Sequence, residues 1–135
     1  MLNGGSFQAD IGTDQKAGQP LFHGYGDDYL QLGKSRYTSG LRIHQKEIIS
    51  PWGPERLRQL TEEHMDFLYQ DKPELLVIGT GRLTAFPPQN ILDMITDLHI
   101  GFECMDSRVA ARTYNFLVAE GRTVSAVFLS PCAKN

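Results

Sequence analysis

The chain has 135 residues, room for one domain with a single core, and its 41% apolar and 21% charged residues fit an ordinary globular protein. A formal net charge of −3 argues against a dedicated nucleic-acid binder, which carries a basic excess. Two cysteines are too few for a disulfide framework, and no apolar run approaches the roughly 20 residues that cross a bilayer, so neither nucleic acid nor direct membrane insertion is expected.

Residues 1–20 are rich in Gly, Gln and Asp and poor in apolar side chains. They read as a poorly ordered tail ahead of a single domain over 21–135. Met1-Leu2-Asn3-Gly4-Gly5 lacks the basic stretch followed by an apolar one that marks a secretory signal. With two cysteines in no pairing pattern, the expected compartment is the cytoplasm. From Phe22 to Ser50 apolar and polar residues alternate, as in half-buried antiparallel strands. Tyr29–Leu32 and Tyr37–Ile43 are two of them, with Gly33-Lys34-Ser35 as the turn between, and Glu47–Ile49 is a third, ending at Ser50-Pro51. Trp52 beside two prolines reads as a loop anchor. Pro54 suits the first turn of a helix running to about Tyr69, with Leu57, Leu60, Thr61, His64, Phe67 and Leu68 on its apolar face.

The pattern changes at Glu74. Leu75-Leu76-Val77-Ile78 is a continuous apolar run, as in a strand buried on both faces. A helix from about Pro88 carries Ile91, Leu92, Ile95 and Leu98. Phe102–Met105 is the next strand, with Cys104 read as a small core residue. Asp106 is placed to cap a helix over 107–120 that buries Ala110, Tyr114, Leu117 and Val118. Gly121 fits a left-handed position just past its end, and Thr123–Leu129 is the last strand. The whole reads as an α/β fold: N-terminal antiparallel strands followed by β-α-β-α-β with right-handed crossovers.

Two strand ends then open on one edge, at Gly79-Thr80-Gly81-Arg82 and at Asp106-Ser107-Arg108. Ligands of open α/β sheets sit at such carboxyl ends. Amides of the glycine-rich turn, Arg82, Arg108 and the start of the helix are a candidate anion crevice. The simpler reading gives the glycines to the turn and Asp106 to the cap. The loop matches neither GxGxxG nor the Walker pattern, and no serine sits in GxSxG. His23, His44, His64 and His99 have no partners at ligand spacing, so no metal or cofactor is expected. Asn115, a mediocre helix former in mid-helix, points to a specific side-chain bond. Glu120 and Arg122 fall at the opposite end of a helix about 20 Å long.

At Gly79-Thr80-Gly81, Met105-Asp106, and Arg112-Thr113-Tyr114-Asn115 through Glu120-Gly121-Arg122, the chain resembles a family of uncharacterised single-domain proteins. The family includes bacterial members, an adipogenesis-associated protein and the mitochondrial complex I assembly factor 3 group. The resemblance runs from about Phe22 to Pro131. It implies a three-layer β/β/α fold with a mixed central sheet and, through the assembly factors, a protein partner. It brings no catalytic residue. Many relatives carry a cysteine where this chain has Ala111. Two functions follow as expectations: a non-catalytic binding or protein-assembly module, or a small-molecule or anion-binding enzyme using Thr80, Arg82, Asp106 and Arg108. Nothing in the sequence fixes an oligomeric state.

Overall fold

A computed structural model describes residues 20–134; the expected tail, bar its last residue, lies outside the described residues. Two sheets form. β1 (Phe22–Tyr25), β2 (Leu30–Leu32) and β3 (Ser35–Tyr37) make an antiparallel meander. β4 (Leu41–His44), β5 (Glu47–Ile49), β6 (Leu75–Gly79), β7 (Gly101–Met105) and β8 (Val124–Phe128) make a mixed sheet in the order β5-β4-β8-β6-β7. β4 runs antiparallel to β5 and β8, and β6 runs parallel to β7 and β8.

The stretch read as one strand over Tyr37–Ile43 is two strands in different sheets. β3 ends at Tyr37 and β4 begins at Leu41. Gly40 between them accepts hydrogen bonds at its carbonyl from the Trp52 amide (2.9 Å) and the Ser50 hydroxyl (2.8 Å). A Cβ at Gly40 would collide with the Trp52 carbonyl, so only glycine permits this crossing.

The helix expected from Pro54 to Tyr69 is instead two 3₁₀ segments, Leu57–Gln59 and Glu63–Tyr69. Leu60 between them is extended, at φ −65° and ψ 132°. Local side-chain bonds satisfy amides that an α-helix would use: Gln59 Oε1 accepts from the Arg56 amide and His64 Nδ1 from the Thr61 amide. The apolar face shifts accordingly. Met65 is buried with Leu57, Leu60, Phe67 and Leu68, whereas Thr61 is exposed and His64 only half-buried.

The β-α-β-α-β half forms as read, with α1 (Gln89–Asp97) and α2 (Ser107–Ala119). The first crossover steps outward from β6 to β7 and the second steps back past β6 to β8. Right-handed connections in opposite directions place the helices on opposite faces. On one face α2 packs Ala110, Tyr114, Leu117 and Val118 with Val77, Ala126 and Phe128 of the sheet, joined by Phe22, Leu30 and Leu32 of the meander. On the other face α1 and the 3₁₀ segments pack Ile91, Ile95, Met65 and Leu68 on Leu76, Ile78 and Val127. Each large apolar side chain so buried contributes about 2 kcal/mol. The molecule is thus α/β in three layers with a mixed central sheet. Two expectations shift: Met94 is buried in α1 where Leu92 and Leu98 are half-buried, and Cys104 is half-buried on the edge strand β7.

Candidate functional site

β6 and β7 end side by side, with Gly79 opposite Met105. Beyond them the two predicted segments meet. The Thr80 amide donates to the Met105 carbonyl (2.8 Å), and the Ser107 amide to the Gly81 carbonyl (2.9 Å). The Ser107 hydroxyl accepts from the Gly81 amide (2.9 Å) and donates to the Leu129 carbonyl (2.6 Å). Ser107 is fully buried and ties three strand ends together. A Cβ at Gly79 would sit 2.7 Å from Phe128 Cδ2 and 2.9 Å from Ser107 Oγ, which explains the first glycine. Gly81, at φ 102°, needs its left-handed freedom.

This geometry gathers Gly79, Thr80, Gly81, Arg82, Asp106 and Arg108 as expected, but it also occupies their donors. The Arg82 amide donates to the Ala133 carbonyl (2.9 Å). Asp106 Oδ1 accepts from the Arg108 and Val109 amides, each at 3.0 Å, and so caps α2. The Thr80 hydroxyl donates to the Leu83 carbonyl (2.6 Å) and accepts from the Ala85 amide (3.2 Å). Only the side chains of Arg82 and Arg108 remain to meet an anion. Arg108 Nη1 already lies 3.5 Å from Asp27 Oδ1, in an exposed pair.

The residues of the RTYN…EGR motif divide by role. Tyr114 is buried and meets the Phe22 ring edge-on, centroids 5.6 Å apart. Asn115 Oδ1 accepts from the Phe22 amide (2.8 Å) while its Nδ2 donates to the Phe22 carbonyl (2.7 Å). This is the specific bond that a mid-helix Asn predicts, and it fastens β1 to α2. Thr113 is half-buried and Ala111 lies in the core. Arg112 is exposed, with its guanidinium carbon 5.9 Å from the centre of the Tyr25 ring. At the far end Gly121 has φ 83°, and Arg122 Nε lies 3.5 Å from Glu74 Oε1, which also accepts from the Thr123 amide (3.0 Å). Glu120, Gly121 and Arg122 therefore belong to the end of the helix and not to the crevice.

Sequence reasoning passed over the exposed apolar side chains of the 82–86 loop and of α2. Leu83, Phe86 and Phe116 are 64%, 74% and 65% exposed, and Val109 is 36% exposed. Thr84 Oγ1 accepts from the Asp106 amide (3.2 Å), which lays the 82–86 loop against the start of α2. Val109 and Phe116 are seven residues apart, on one helix face, with Arg112 between them. The available signal was their place off the buried stripe of α2.

A second opening, a cleft of about 660 Å³, lies between the β4–β5 hairpin and the 63–71 segment, lined by Arg42, His44, Glu47, Asp66, Phe67 and Tyr69 among others. Some of its polar groups are engaged, but the buried Arg42 Nε has no hydrogen-bond partner among the described residues. His44 bonds the Ser125 hydroxyl (2.7 Å) and the Gln70 carbonyl (3.0 Å), and Arg42 stacks on Phe67 and pairs with Glu47 at 2.6 Å. Among the described residues no group of three or more His, Cys, Asp or Glu is arranged to hold a metal ion. Burial pushes the Cys104 thiol up to about 11, so it stays protonated and unreactive at neutral pH. No described helix is long and apolar enough to cross a membrane.

Residues 22–129 match the model of a family of proteins of unknown function, DUF498/DUF598, and the chain belongs to that family. It is 32% identical over 114 residues to an uncharacterised protein of Rhodobacter capsulatus, covering 84% of this chain and 86% of that one. A 13 kDa major membrane protein of Francisella tularensis is 33% identical over 73 residues, 54% of this chain and 59% of its own length. The human NADH dehydrogenase [ubiquinone] 1 alpha subcomplex assembly factor 3 is 29% identical over 115 residues, 76% of this chain and 61% of that protein. The chain thus spans about 60% of the length of those last two relatives. Among solved structures, a Bordetella parapertussis protein superposes with a TM-score of 0.75 at 28% identity, covering 82% of this chain and 95% of that one.

Proposed function

We propose that this DUF498/DUF598 protein is a non-catalytic protein-binding module of the assembly type. Its partner docks on the outer face of α2 and the neighbouring 82–86 loop. The observation that carries this reading is the exposure of large apolar side chains on these two elements, Leu83 and Phe86 on the loop and Phe116 on α2. Such patches on a monomer's surface mark interaction sites. The assembly-factor names among its relatives point the same way. The alternative, an anion-binding enzyme at Thr80, Arg82, Asp106 and Arg108, has only two arginine side chains to offer, because the turn's amides already bond protein acceptors. This reading puts the protein itself in the cytoplasm, and cell fractionation should leave it in the supernatant.

The test is a photo-crosslinking amino acid, p-benzoylphenylalanine, in place of Phe116, with a control at the exposed Gln59. Discrete protein adducts at position 116 and none at 59 are expected in the cells that make the protein. No protein adduct at 116 removes the reading.

A further inference from the structure

We infer that the cleft between the β4–β5 hairpin and the 63–71 segment binds a small basic amino acid, its carboxylate on Arg42 and its cationic groups on Asp66 and Asp71. The site is separate from the docking face, because the 63–71 segment packs on the side of the sheet opposite α2. The cleft holds a donor without an acceptor. The Arg42 guanidinium lies over the Phe67 ring, 4.7 Å from its centre. Its Nη2 donates to Glu47 Oε1 (2.6 Å), but the buried Nε has no partner among the described residues. Nε and Nη2 share one edge of the guanidinium, and such an edge takes both oxygens of a carboxylate. Glu47 therefore half-fills a bidentate site. Its side chain is 63% exposed, and exposed pairs of this kind are weak, so a ligand carboxylate can displace it at little cost.

The rest of the cleft supplies the opposite charge. Its walls, residues 42–49 and 63–71, carry Arg42 and Lys46 against Glu47, Glu63, Asp66 and Asp71. Asp66 and Tyr69 are three residues apart in a 3₁₀ segment, where such side chains eclipse. Asp66, Tyr69 and Asp71 are exposed, and among the described residues their side chains make no hydrogen bond or ion pair. The Tyr69 ring offers a surface to a cation or to an aliphatic stem. The backbone is strained at the same place. Asp71 has φ 54°, and Gln45 and Lys46 in the hairpin turn have 52° and 73°. Three of the four described non-glycine residues with positive φ thus border this cleft, and such strain gathers at binding sites. A volume of about 660 Å³ holds an amino acid with room to spare. Free lysine brings one carboxylate and two cations, which matches the acidic excess. An amino acid with an apolar side chain leaves one aspartate unmet. A ligand with no cation meets four carboxylates.

The test is an NMR titration of the isotope-labelled whole chain with L-lysine. The amides of Glu47, Tyr69, Gln70 and Asp71 should shift, and that of Phe116 should not. Cadaverine lacks the carboxylate and norleucine lacks the side-chain cation, and each should bind at least about tenfold more weakly. Arg42→Lys keeps the charge but loses the two-donor edge, and should erase lysine's advantage over cadaverine. Glu47→Gln removes the competing carboxylate and should widen that advantage. Asp66→Asn with Asp71→Asn should erase the advantage over norleucine. Both side chains are exposed, and asparagine tolerates the left-handed backbone at 71, so the melting temperature should stay near that of the native chain. No shift at the cleft amides with lysine, or norleucine bound as tightly, overturns the site. Cadaverine bound as tightly as lysine overturns the assignment to Arg42 and leaves a solvated acidic rim. A lysine-to-cadaverine ratio unmoved by both Arg42→Lys and Glu47→Gln overturns it as well.

Discussion

Asn115→Ala should detach β1 from α2. Among the described residues β1 pairs only with β2 in its sheet. On its other side the Asn115 amide takes the place of a neighbouring strand, bonding both the Phe22 N–H (2.8 Å) and the Phe22 carbonyl (2.7 Å). Phe22 is 6% exposed, so truncation strands two backbone groups away from water. Each such orphan costs about 1–3 kcal/mol, and a water entering the space left can satisfy one of them, which sets the loss at about 1–3 kcal/mol. At about 4 °C per kcal/mol for a domain of this size, the melting temperature should fall by about 4–12 °C. The Phe22 ring, edge-on to Tyr114 and Phe128 at 5.6 and 5.0 Å, keeps some hold on the strand, so local release should precede global unfolding. Hydrogen exchange of the Phe22 amide should therefore accelerate more than that of β6. Asn115→Asp keeps the acceptor but sets a carboxylate against the Phe22 carbonyl, and should lose at least as much stability. An Asn115→Ala protein that melts within about 2 °C of the native chain, with the Phe22 amide still protected, would refute this account of the motif's asparagine.

Gly121→Val should cost about 1–2 kcal/mol through the left-handed backbone alone, because a Cβ at Gly121 meets nothing within 4 Å. Gly79→Ala should cost more through collision with Phe128 and Ser107, and equal melting temperatures for the two variants would contradict that ranking. Burial raises the Cys104 thiol from 9.0 to about 11, so stability present below pH 9 should be lost as pH climbs toward 11, where the unfolded thiol ionises first; Cys104→Ala should flatten that decline in urea titrations. At pH 8 a thiol reagent should label exposed Cys132 quickly and Cys104 only on unfolding. Sulfate should raise the melting temperature equally in the native chain and in Arg82→Ala with Arg108→Ala, the general exclusion effect; a larger rise in the native chain would mean that the arginine side chains hold an anion without the turn's amides.

The second half of the fold was legible because each junction carries its own chemistry. Leu75–Ile78 is unbroken apolar sequence, Asp106 caps, Gly121 ends the helix, and the spacing of Ala110, Tyr114, Leu117 and Val118 admits one period. The 54–69 segment misled because its apolar spacing fits a helix while Leu60 is extended and His64 diverts the Thr61 amide. Spacing reports which side chains are inside, not which carbonyl each amide reaches. The break at Thr38-Ser39-Gly40 was hidden for a related reason: it depends on Trp52 and Phe128, distant in sequence, closing around Gly40. The crevice residues were brought together as read, but that their amides would be consumed by Met105, Ser107 and Ala133 depended on contacts that sequence order does not reveal. The exposed stripe of Val109 and Phe116 was missed because attention followed the buried side of the same helix.

The strand order gives β8 a temporal meaning. It is the last strand in sequence, yet it lies in the middle of the mixed sheet, between β4 and β6. As the chain leaves the ribosome, β4 with β5 and β6 with β7 can form only as separate pairs. Each then presents a bare hydrogen-bonding edge until residues 124–128 emerge and slot between them. A nascent chain stalled before that point would be sticky rather than merely incomplete, so this protein should depend on ribosome-bound holding factors more than its small size suggests. The joining of its two halves is a single late event, carried by five residues.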